Sequence, residues 1–120
     1  MTFEVFKTLH ILGIALVFLA FGGLIAHTIN GGTRETNKKR GLMVATHGLG
    51  LVLIIGAGFG MLSLSSPTLF PGWIHPKLLI WLLLGGLLAP AQRSPKFAAA
   101  LWWIVPLLAT VAGFLAITHK

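Results

Sequence analysis

The sequence predicts an all-α fold: an integral membrane four-helix bundle with short loops and antiparallel up-down neighbours. Composition gives the solvent. Of 120 residues, 56% are hydrophobic and 9% are charged, where a soluble domain carries roughly a quarter charged residues. Mean hydropathy is +0.92. Length gives the elements, because a helix needs about 20 apolar residues to cross a hydrocarbon core and four stretches are long enough. Charge gives the loops. Nine Lys and Arg stand against two acids, and in so apolar a chain that excess belongs beside lipid headgroups rather than in a nucleic-acid groove.

The first helix is expected from about Phe6 to Ile29. It is read as a mature span and not a signal peptide, because Glu4 precedes Lys7, the apolar run is longer than a signal core, and no small-residue cleavage site follows. The second helix runs from Leu42 to Leu64. The third, Ile74 to Leu88, is the shortest and just spans, bounded by "FPGW" before it and "LAPAQRSP" after it. The fourth runs from Phe97 to Thr118, with Pro106 inside it expected to bend the helix. Together they make one transmembrane domain over residues 1–120.

Arg34, Lys38, Lys39 and Arg40 follow the first helix, and Arg93 and Lys96 follow the third. The other side holds only Lys7, Lys77 and Lys120. The positive-inside tendency therefore predicts a bacterial cytoplasmic membrane protein with both basic loops inside and both termini outside. Trp73 would then lie at the outer interface and Trp102 with Trp103 near the inner one, where indoles prefer to sit. Gly56 with Gly60, Gly22 with Ala26 and Ala109 with Gly113 are small-residue steps that suit helix packing, self-association into a homo-oligomer, or room for a flat ligand.

Chemistry is narrowed by what is missing. There is no cysteine, so disulfides and thiolate ligands are excluded and a metal must be held through His. No carboxylate is expected within a helix, which argues against acid/base pairs. Histidines therefore carry the candidate site. His10 and His27 are seventeen residues apart, about 25 Å along one helix, so they belong to different clusters. One cluster comprises His10, His75, Lys77 and His119 at the outer side; the other pairs His27 with His47 at the inner side. An ionisable group inside a spanning helix is a functional candidate by default. His10 and His47 each have a glycine three residues on, Gly13 and Gly50, with Gly58 further along the second helix. A porphyrin needs such space beside its ligand. Haem is thus the expected cofactor, with His10, His47 and His27 as candidate iron ligands and a His27–His47 pair as the alternative to His10. The alternative for these histidines is a plain hydrogen bond to a hydroxyl or a backbone carbonyl on a neighbouring helix, a reading that suits His27, His75 and His119 near helix ends better than His10 and His47.

Pro76 suits the first turn of the third helix, but Lys77 opposes the helix dipole there. Either it snorkels to lipid phosphates, or it faces inward and holds haem propionates.

A histidine in "KTLHILGI", a basic loop, a glycine-rich second helix and "WIHPKLLI" opening the third resemble the HemJ-type membrane protoporphyrinogen oxidases and the small four-helix SirB-type proteins. The resemblance covers the first three helices. It implies bound haem b, with His10 and Lys77 at the functional positions, while His47 in "ATHGLG" is more like the SirB type. HemJ-type proteins follow the third helix with a charged segment, where this chain has "LLLGGLLAPAQRSP". Three functions follow as expectations: a haem b protein in electron transfer or haem-linked redox chemistry, a protoporphyrinogen IX oxidase, or a cofactor-free accessory subunit or small-solute carrier.

Overall fold

The computed structural model describes residues 2–68 and 70–118. Its helices are α1 (Phe3–Ile29), α2 (Arg40–Ser65), α3 (Ile74–Gly86), α4 (Leu88–Arg93) and α5 (Pro95–Thr118). They make four spans long and apolar enough to cross a membrane, α3 and α4 together forming the third. All described elements are helical, as expected. The long dimension is 48 Å, close to the roughly 40–45 Å of a bilayer with its headgroups.

Helix ends shift outward from the expected positions where a cap is available. Thr2 accepts a hydrogen bond from the Val5 N–H at 3.2 Å, so α1 begins at Phe3 and takes Glu4 into its first turn, where a negative charge suits the dipole. A carboxylate therefore does lie within a helix, contrary to expectation, though at the exposed first turn rather than in the membrane core. Ser94 accepts from the Phe97 N–H at 3.2 Å and Pro95 takes the first helical position, so α5 starts two residues early.

The third span is longer than the sequence suggests. Instead of ending at Leu88 it continues to Arg93, with one irregular residue, Leu87, between α3 and α4. Leu87 stays right-handed helical, and its N–H still reaches Leu83 O at 2.9 Å. Pro90 explains the break, since it has no N–H to offer the carbonyl four residues back at Gly86. The result is a discontinuity without a change of direction into a loop.

Along α5 the inward positions are Ala98, Leu101, Val105, Leu108, Ala112 and Leu115, spaced alternately by three and four residues as in a packed helical seam. The remaining faces carry residues such as Trp103 and Ile117, 70% and 76% exposed, as lipid contact requires. The fully buried part of the core joins Val17, Phe21, Leu24 and Ile25 of α1 to Leu84, Ala91, Ala98 and Leu101. These sit toward the end of the bundle that carries the basic loops. That end is further tied by Arg40 Nε, which donates to Gln92 Oε1 at 2.6 Å, and by the His27 ring, bonded to Thr33 O at 2.9 Å.

α1 and α2 approach most closely at Gly13 and Gly50, which are buried against each other. The small-residue steps expected to mediate packing do less. Gly22, Gly56 and Gly113 have open space where a Cβ would be, and Gly60 faces the Phe6 ring rather than a helix backbone.

Candidate functional site

At the opposite end, where the described chain begins and ends, the spans part around a cavity of about 470 Å³. Phe3 and His10 of α1, Gly58 and Met61 of α2, Lys77 and Trp81 of α3 and Ile117 of α5 contribute to its wall. All four spans thus meet there. Most of the wall is apolar, and the charged groups are Lys7 and Lys77. Among the described residues no carboxylate lines the cavity.

Among the described residues His10 is the histidine of this wall, and its hydrogen bond fixes its tautomer. Its Nδ1 lies 2.9 Å from Ile54 O. A carbonyl can only accept, so Nδ1 carries the proton and donates it, and Nε2 keeps the lone pair. Metal-binding imidazoles are commonly oriented in this way, with the second ring N–H given to a backbone carbonyl. Gly58 stands beside the ring: a Cβ there would be 3.5 Å from His10 Cε1. Glycine next to a histidine is therefore present, but it is Gly58 and not the expected Gly13 or Gly50. Those two are corrected to a packing role, since a Cβ on either would fall 2.7 Å from the other's carbonyl oxygen and leave no room for a ligand.

Lys77 lines the same cavity, with Nζ 4.7 Å from the centroid of the Trp73 ring. The indole face partly offsets its charge. Trp73, Lys77 and Trp81 recur every four residues and form one face of α3. Trp81 donates from Nε1 to Leu51 O at 3.0 Å, fixing that face against α2. Lys7, missed in the sequence, precedes His10 by three residues and so shares its helix face. Both stripes were legible from spacing.

The other candidates lie elsewhere. His75 is exposed and is not part of the cavity wall, so its assignment to the cofactor is corrected. His119 is outside the described residues. His47 is buried, 4% exposed; its Nε2 donates to Leu84 O at 2.9 Å and its ring meets Phe21 edge-on at 5.2 Å between centroids. His27 binds Thr33 O and Thr36 Oγ1, at 2.9 and 3.1 Å, closing its own loop. These two rings do not meet in a shared cavity. The hydrogen-bonded alternative describes both, and the His27–His47 pairing across a cofactor is corrected accordingly.

Among the described residues no three His, Cys, Asp or Glu side chains gather to hold a bare metal ion. A porphyrin asks less of the protein, because it brings four equatorial nitrogens and needs one or two axial ligands. His10 could offer one, apolar walls would suit the macrocycle, and Lys7 and Lys77 would suit two carboxylates at its edge. At about 470 Å³ the space also falls in the usual range for small-molecule sites, roughly 300–1,000 Å³. The residues present fit haem b. Compared with protein-family models, curated proteins and solved structures, the chain shows no significant match.

Proposed function

We propose that this is an integral membrane haem b protein acting in electron transfer or haem-linked redox chemistry. The supporting observation is His10: an imidazole oriented by Ile54 O, with Nε2 left to coordinate, in the wall of an apolar cavity that also holds Lys77. In this reading His10 would hold the iron through Nε2, and Lys77 and Lys7 would receive the propionates. The bound group supplies one-electron iron chemistry. The chain's own part is to hold the imidazole tautomer, exclude water with apolar walls, and balance two carboxylates with two lysines.

The proposed orientation places the cavity toward the outer leaflet of a bacterial cytoplasmic membrane and the loops of Arg34 to Arg40 and Arg93 to Lys96 inside, by the distribution of positive charge. An absorption spectrum of the protein purified from membranes tests the cofactor. A Soret band with reducible α and β bands, lost in His10→Ala and retained in His47→Ala, is the expected result. A colourless protein that takes up no added haemin overturns it.

A further inference from the structure

Among the described residues Met61 is the thioether of the cavity wall, and its position on α2 relates it to His10. His10 is anchored at Ile54 O. Met61 follows Ile54 by seven residues, two turns, so it shares the same helix face and lies roughly 10 Å further along α2 toward its C-terminal end. Between them on that face is Gly58, which carries no side chain and lies beside the His10 ring, where a Cβ would be 3.5 Å from Cε1. A helical methionine also leans back toward the N-terminus of its own helix, here toward Gly58. The order along α2 is therefore imidazole anchor, gap, thioether. Ile54 is half-buried and bulky, whereas the gap falls where glycine opens it.

We propose that Met61 is the second axial ligand of the haem, opposite His10, so that the iron is six-coordinate. This rests on the haem assignment above. A thioether sulfur is a soft, neutral donor that favours ferrous iron and raises the reduction potential. Two protein ligands also leave no open coordination position for a substrate. The site then suits electron transfer and not the protoporphyrinogen oxidase alternative.

The test uses full-length protein in detergent or nanodiscs, loaded with haemin. Wild type should give a low-spin ferric spectrum with the near-infrared charge-transfer band of thioether ligation, and its ferrous form should bind carbon monoxide poorly. Met61→Leu keeps side-chain volume; it should retain haem, become high-spin, lose the near-infrared band and bind carbon monoxide readily. Met61→His should restore a low-spin spectrum at a lower midpoint potential. If haem binds but Met61→Leu leaves spin state and carbon monoxide binding unchanged, the Met61 assignment falls and the haem assignment stands. If wild type takes up no haem, both fall.

Discussion

Gly13 and Gly50 press backbone to backbone: a Cβ on Gly13 would lie 2.7 Å from Gly50 O, and one on Gly50 would lie 2.7 Å from Gly13 O. In lipid, where apolar side chains gain little by leaving their solvent, such close approach is a main source of helix association. A methyl group at either glycine meets a carbonyl that cannot move unless the helices part. Gly13→Ala and Gly50→Ala should each cost about 1–3 kcal/mol. The double variant should cost less than the sum, since both disrupt one contact. Unfolding titrations in mixed detergent read this directly, with Gly56→Ala, which meets nothing within 4 Å, as the neutral control.

His47→Ala should weaken the fold without touching the cavity. An interhelical hydrogen bond in a membrane averages about 0.6 kcal/mol, so loss of the bond to Leu84 O is the smaller part. The vacated volume beside Phe21 is the larger part, and the total should be about 1–3 kcal/mol. Unfolding midpoints should fall while the wild-type haem spectrum is unchanged. A lost spectrum in a folded His47→Ala protein would return His47 to the ligand list.

Lys77→Met should weaken haem retention by about tenfold to a hundredfold, given about 1.4 kcal/mol per decade and the strength of a charge-assisted hydrogen bond. Lys77→Arg should keep much of it. Haem transfer to an acceptor protein measures the loss. The axial-ligand spectrum should stay as in wild type, because in the proposed arrangement Lys77 meets the propionates and not the iron.

Sidedness can be read with single cysteines, since the chain has none of its own. A Lys38→Cys protein in intact cells should resist a membrane-impermeant thiol reagent, and a Thr2→Cys protein should react. The reverse pattern would invert the proposed orientation.

The loop between α1 and α2 should respond to acid. Glu35 is held below the usual carboxylate range first by its own backbone N–H, then by the Thr33 hydroxyl, with Arg34 and Arg40 adding to it. A depressed carboxylate contributes order that is complete above its unfolded pKa and is lost as pH falls through the folded one. Amide exchange at Arg34 to Asn37 should therefore quicken as pH drops below the ordinary glutamate range, after correction for intrinsic rates. Glu35→Gln should remove that dependence.

The four spans are legible in the sequence because apolar length and basic loops are properties of composition, unaffected by how helices pair. The shared cavity of His10 and Lys77 was foreseeable too, from their similar depth on antiparallel neighbours. Other features depend on partners that spacing cannot name. Gly13 and Gly56 look alike in sequence, yet one meets a helix and the other open space. His47 resembles a ligand until Leu84 O is found within reach. Helix extension through "LLAPAQR" was hidden because Pro90 marks a boundary in most contexts, while here it costs a single bond, at the Gly86 carbonyl.

Because the fully buried core lies beside the basic loops, the two ends of the bundle have unequal resistance to local opening. Parting α3 from α5 at the cavity mouth exposes Leu78 or Ile117, which already adjoin open space, while Phe21, Leu24 and Leu101 stay interlocked. Such sub-global excursions draw on the least stable part of a structure. Local opening should therefore begin among the helix tips around the cavity, while the far end of the bundle keeps the spans together.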